Sequence, residues 1–161
     1  MKTISPCLWF DDQAETAANF YTSIFKNSKI VDVARYPEAG QEVHGKPAGS
    51  AMTVTFELAG QPFIALNGGP QFKFSEAVSL SVDCETQKEV DDYWQKLSEG
   101  GEPGPCGWLK DKFGLSWQIV PRLLPEYLQD KDPAKAARVM DAMMKMSKID
   151  IAALKKAYAG K

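Results

Sequence analysis

The side chains in this sequence with chemical potential are few and scattered. They are three cysteines (Cys7, Cys84, Cys106), a single histidine (His44), a Lys110-Asp111 pair flanked by Trp108 and Phe113, and Glu57 inside an alternating apolar stretch. A lysine beside an aspartate can bind an anionic group while the carboxylate orients it or accepts a proton. The same pair can be an ion pair on a hairpin surface, contributing about 0–1 kcal/mol. Both readings stay open. A cysteine nucleophile needs a basic neighbour or a helix N-terminus to lower its pKa, and the chain offers no histidine other than His44. Cys7 and Cys106 therefore read as structural or bystander thiols. His44 lies in a Gly/Pro-rich loop, 37–49; metal ligands come in clusters, so it reads as a solvated loop residue. Asn67-Gly68-Gly69-Pro70 is a glycine cluster, but Phe72 and Phe74 follow it without helical periodicity. It reads as a tight turn rather than a cofactor loop opening a helix.

The elements that must position these groups repeat. With a shift of about 72 positions, Leu8-Trp9-Phe10-Asp11 falls on Leu80-Ser81-Val82-Asp83, Ala18 on Val90, Tyr21 on Tyr93 and Phe25 on Leu97. Each half reads as an alternating strand, an acidic turn and an amphipathic helix. Strand patterns follow at 29–36, 50–58 and 62–67 in the first half and at 102–109, 110–113 and 115–120 in the second. Gly60-Gln61 reads as a hairpin turn, and Gly114 does the same before Leu115. After Val120 no strand pattern remains. Asp132-Pro133 starts a helix with Pro at its first position, and Asp150 caps a last helix over 151–158. Met140, Met143 and Met144 share a helical face, expected to pack in the core or between copies. The acidic run 85–92 reads as the solvated face of the second helix.

Two longer segments carry a family resemblance. Gly60-Gln61-Pro62-Phe63-Ile64-Ala65-Leu66-Asn67-Gly68-Gly69-Pro70 and Cys106-Gly107-Trp108-Leu109-Lys110-Asp111-Lys112-Phe113-Gly114-Leu115-Ser116-Trp117-Gln118-Ile119-Val120-Pro121 resemble the PhnB-like branch of the vicinal oxygen chelate superfamily, often labelled 3-demethylubiquinone-9 3-methyltransferase-like. The helical ending 132–140 is similar as well. Glyoxalase I, fosfomycin-resistance proteins and extradiol dioxygenases belong to that superfamily. The resemblance implies an α+β fold. Two βαβββ modules, 1–70 and 75–121, would form a curved mixed sheet around a ligand cleft, usually in a homodimer. Residues 122–161 are a C-terminal helical extension.

Strand alternation converts this fold into a candidate site, because successive side chains point to opposite faces. Leu8 and Phe10 with Ile4, the set Met52, Val54, Phe56 and Leu58, the set Val78, Leu80 and Val82, and the set Leu115, Trp117 and Ile119 are assigned to the packed face. The expected cleft lining is Ser5, Cys7, Trp9, Glu57, Phe63, Asn67, Ser79, Ser81, Trp108, Lys110, Asp111, Ser116 and Gln118, with Thr53, Thr55 and Ala77 on the same faces. Metal-dependent members of the superfamily supply His or Glu from four strands. By motif those places here are Ser5, Asn67, Ala77 and Gln118, a poor set for a transition metal. The expectation is a protein that binds a small polar or semi-aromatic molecule, with no metal or other cofactor. The alternatives are a metal-dependent lyase, isomerase or dioxygenase, the methyltransferase of the family label, or a dimer scaffold built on the helical tail.

Composition narrows the classes further. The chain has 161 residues, 44% hydrophobic and 25% charged, with 19 basic against 21 acidic residues for a net charge of −2. That balance gives no basic field for nucleic acid. No stretch approaches the roughly 20 apolar residues of a membrane span, and no secretory pattern opens the chain. Three widely spaced cysteines point to a reduced, cytoplasmic compartment.

Overall fold

The computed structural model describes residues 4–161. The chain divides into two compact units, 1–73 and 74–161. In the first unit the order is β1 (Cys7–Phe10), α1 (Ala14–Ile24), β2 (Lys29–Arg35), α2 (Gln41–His44), β3 (Ala51–Leu58) and β4 (Gln61–Asn67). The strands form a four-stranded sheet in the order β1-β4-β3-β2. β1 runs parallel to β4, and the other pairs are antiparallel. Ala17, Ala18, Tyr21 and Ile24 recur at helical spacing and are buried, giving α1 one apolar face. Val54, Phe56 and Phe63 are likewise buried, and the Phe56 ring lies 6.4 Å from Tyr21 and 5.5 Å from Phe63.

The second unit repeats this plan. β5 (Ser79–Cys84), α3 (Gln87–Ser98), β6 (Glu102–Pro103), β7 (Trp108–Lys110) and β8 (Ser116–Pro121) give a sheet ordered β5-β8-β7-β6, with β5 parallel to β8. Thr86 and Glu89 form a reciprocal capping box at the start of α3. The unit continues into α4 (Leu123–Leu128), α5 (Pro133–Met143) and α6 (Ile151–Ala159). Asp132 caps α5 by accepting from Ala134 N, and Asp150 caps α6 by accepting from Ala153 N. Leu124, Val139, Ile149 and Leu154 form the buried centre of these helices. The α+β class and the paired, glyoxalase-like topology hold. The sheet is two separate four-stranded sheets, one in each unit.

Several local expectations are corrected. The predicted strand over 102–109 is broken at Gly104–Gly107, where Cys106 and Gly107 take φ of 57° and 83°. Residues 111–114 form a turn, not a strand. The first hairpin turn is Ala59-Gly60, with φ of 49° and 83°, both positive as a two-residue I′ turn requires. Ile4 and Val78 are 93% and 67% exposed because β1 and β5 begin only at Cys7 and Ser79. The methionine face is not part of the chain's own core: Met140 and Met144 are exposed, which leaves packing between copies as the standing expectation, and Val139 and Met143 turn toward the helical core. β2 is a sheet edge interrupted by bulges. Val31 is the extra residue between the Ile30↔Phe56 and Asp32↔Thr55 pairs, and Met52 is the extra residue opposite Ala34-Arg35. Among the described residues, no helix is long and apolar enough to cross a membrane.

Candidate functional site

Each sheet has one face under its helix and one open face, and strand register assigns residues to them. In the second unit the register aligns Ser79, Ser116, Lys110 and Glu102 in one row, and Ser81, Gln118 and Trp108 in the next. Side chains paired across strands share a face, so these residues line the open side, while Leu109, Trp117 and Ile119 are buried on the other. Gln118 Nε2 donates to Ser79 Oγ at 2.9 Å. Ser116 is 1% exposed, and its Oγ has no hydrogen-bond partner among the described residues. It sits in a groove of about 520 Å³ that is also lined by Glu76, Glu102, Cys106, Trp108 and Lys110.

Lys110 and Asp111 do not act together. Adjacent residues leave a strand on opposite faces. Lys110 Nζ reaches Glu76 at 2.6 Å on the groove side. The hydrogen bond from Lys110 holds the Glu76 carboxyl below its usual range, and the same bond pushes the Lys110 ammonium up. Of the two readings of this lysine, the ion pair is the one seen, with Glu76 rather than Asp111 as its partner. Asp111 is 3% exposed on the packed side. Its Oδ1 accepts from Phe113 N (2.8 Å) and Leu115 N (3.1 Å), and its Oδ2 from Trp117 Nε1 (2.8 Å). It shapes a turn, and its assignment to the cleft lining is corrected.

In the first unit, Cys7 and Trp9 pair with Ile64 and Leu66 of β4, which pair in turn with Thr55 and Thr53 of β3. Glu57 lies at the end of this open face and pairs with Lys29 at 3.6 Å. Trp9 Nε1 donates to Gly69 O (2.8 Å), and its ring meets Phe72 edge-on at 4.9 Å. A Cβ on Gly68 would lie 2.2 Å from that indole, so only glycine fits there. Ser5 precedes β1. Phe63 and Asn67 are corrected to the packed face. Any two-residue turn after Leu58 sets the even-numbered core residues of β3 opposite odd-numbered residues of β4, and that pattern signals Ile64 and Leu66 as the residues on the open face. Asn67 is 5% exposed; its Oδ1 accepts from Ala14 N (2.8 Å), and its Nδ2 donates to Ala51 O (3.0 Å). Gln13, at the N-cap of α1, makes no side-chain cap, so Asn67 satisfies that helix end from β4. His44 is half-buried rather than solvated: its ring lies 4.7 Å from Tyr36, and its Nδ1 accepts from Lys46 N. Glu76 and Glu102, absent from the expected lining, carry no periodic signal, one lying before β5 and the other in a two-residue strand.

The cysteines are unpaired and differ sharply: Cys7 is exposed, Cys84 buried and Cys106 intermediate. Burial, with Glu89 and Asp83 nearby, pushes the Cys84 thiol up to about 12. Burial also raises Cys7, to a smaller degree. Iodoacetamide at pH 8.5 is expected to alkylate Cys7 while leaving Cys84 untouched until the chain unfolds; mass spectrometry of peptides reads the outcome. Labelling of native Cys84 at a rate near that of Cys7 would contradict the burial described.

The family described as 3-demethylubiquinone-9 3-methyltransferase matches residues 2–120. The PhnB protein from Bacillus cereus is 37% identical, with a TM-score of 0.65 over 74% of this chain and 99% of that one. The chain belongs to that PhnB-like family. The family lies within the vicinal oxygen chelate superfamily. The fold extends further: protein PA1353 from Pseudomonas aeruginosa superposes with a TM-score of 0.61 at 17% identity, covering 75% of this chain and 98% of its own. The fosfomycin resistance protein FosX from Listeria monocytogenes, in a complex with Mn(II) and sulfate, superposes with a TM-score of 0.53 at 16% identity, covering 80% and 95%. No curated protein matches.

PhnB-like membership raises two cofactors, and the residues here fit neither. For a divalent cation, the places that the resemblance implies hold Ser5, ahead of β1; Asn67, on the packed face with both amide ends engaged; Ala77, ahead of β5; and Gln118, bonded to Ser79. Among the described residues, no three His, Cys, Asp or Glu side chains converge. For a nucleotide-type methyl donor, Gly68-Gly69 opens no helix and lies under the Trp9 ring.

Proposed function

We propose that this PhnB-like chain binds a small molecule on the open face of its second sheet, using hydroxyl, amide and indole groups in place of the superfamily's metal. The carrying observation is the register that aligns Ser79, Ser81, Trp108, Ser116 and Gln118 on that face. Such a face combines apolar contact with a few oriented polar groups, the usual make-up of a ligand site. A homodimer is part of this reading and rests on the family resemblance. A cytoplasmic setting is supported by the unpaired cysteines.

The first experiment is metal analysis of the untagged protein after incubation with manganese, iron, nickel and zinc, with thermal shift alongside and then a small-molecule screen. The expected result is no retained metal and a subset of organic ligands that raise the melting temperature. Gln118→Leu is expected to weaken those ligands by about 1–3 kcal/mol through the lost pairing. One tightly held metal per chain would overturn the reading and favour a metal-dependent lyase, isomerase or dioxygenase. Unchanged ligand affinity in Gln118→Leu would remove that residue from the site.

A further inference from the structure

The groove beside β7 has a construction that the family match does not contain. That match ends at residue 120, yet one wall of the groove, the Gly104–Gly107 loop, is held by the chain beyond α5. Cys106 N donates to Met146 O (2.8 Å), Gly107 N donates to Ser147 O (2.7 Å), and Ser147 Oγ donates to Gly104 O (2.6 Å). These bonds hold Cys106 and Gly107 in the left-handed region that interrupts the strand. The tail segment is fixed in turn by Gln87, whose Nε2 donates to Ile149 O and whose Oε1 accepts from Ile151 N. The groove is therefore built before any ligand arrives.

Its polar groups select a charge class. Glu76 and Glu102 set two carboxylates against the single ammonium of Lys110, and Glu76 already holds that ammonium at 2.6 Å. Glu102 faces Lys110 across the strand pair. An anion would have to displace Glu76 from its partner while facing a second carboxylate. A neutral or cationic group meets no such opposition, and the Trp108 ring favours a flat apolar body or a cation. The Ser116 hydroxyl, buried in the groove without a partner, is a donor and acceptor awaiting one. Resting on the small-molecule reading above, we propose that this tail-walled groove is a binding site for a flat, neutral or cationic molecule that pairs with Ser116 Oγ.

Benzamidine, benzamide and benzoate test it, since they share a shape and differ in charge. Titrated into the full chain at low salt and followed by NMR, benzamidine and benzamide are expected to bind at least about threefold more tightly than benzoate, the size of an exposed charge effect. Glu76→Gln is expected to narrow that gap. Ser116→Ala is expected to weaken benzamide about tenfold while leaving the free protein as stable or more so, because the hydroxyl removed had no partner. Ser147→Ala, made in a Cys7→Ser background, is expected to speed alkylation of Cys106 and weaken both probes as the wall loosens. Tightest binding by benzoate overturns the charge class. Unchanged affinity in Ser116→Ala, or no binding of any probe at millimolar concentration, overturns the site. If a screening hit is still weakened by Gln118→Leu in either case, the small-molecule reading stands and only this assignment falls.

Discussion

Asp111→Ala is expected to destabilise the fold by about 3–5 kcal/mol, since each buried N–H donor left unpaired costs about 1–3 kcal/mol. The cause is local. Phe113 N, Leu115 N and Trp117 Nε1 all donate to the Asp111 carboxylate, and the residue is 3% exposed. Alanine would leave the buried Leu115 N and Trp117 Nε1 without a partner and loosen the part-buried Phe113 N. Asp111→Asn is the informative control. Its Oδ1 can keep both backbone donors, but its amide would oppose the Trp117 N–H, so a loss of about half that size is expected. Urea unfolding measures both, and an unchanged m-value would show that the loss is one of native stability and not a change in the surface exposed on unfolding. A shift below about 0.5 kcal/mol for alanine, the ordinary range of surface substitutions, together with lost ligand binding, would return Asp111 to a role in the site.

Asn67→Ala comes next, with an expected cost of about 2–4 kcal/mol from a lost helix cap and a lost buried hydrogen bond. One side chain joins α1 to β3 from the end of β4, accepting from Ala14 N and donating to Ala51 O. Asn67→Asp separates the two contributions. Its carboxylate still accepts from Ala14 N and suits the positive helix end, but it faces the Ala51 carbonyl with no proton. Its deficit is therefore expected to shrink as pH falls and the new carboxyl gains a proton to donate. Thermal melts across the carboxylate range follow this directly. A deficit that grows in acid would mean that the Ala51 contact matters little. Ligand affinity is expected to stay unchanged in both variants, since Asn67 lies on the packed face.

The repeated order of elements was legible because strand alternation, helical spacing and capping residues all agree in each half. Leu8 and Phe10, the β3 core set, and Leu115, Trp117 and Ile119 are buried or half-buried as alternation requires. Alternation within β4 alone does not say which of its faces packs; the pairing with β3 does, and it puts Phe63 and Asn67 on the buried side. Lys110 and Asp111 read as a pair because they are adjacent, whereas the pleat separates them. The break at Gly104–Gly107 was illegible for a different reason: the bonds that impose it come from Met146 and Ser147, about 40 residues downstream. Local pattern carries no such information. Glu76, outside every strand and helix, enters the groove lining through tertiary placement alone.

The bulged border of the first sheet bears on what this chain can become when crowded. A straight seven-residue border strand would offer a ladder of free amides and carbonyls to any neighbouring strand. Here Val31 and the Met52 irregularity break the repeat twice, and Lys29, Asp32 and Arg35 place charges along it. Two copies laid edge to edge along β2 would lose step within a few residues. The border thus disfavours fibrillar growth, and an ordered pair of these chains would have to meet through some other surface.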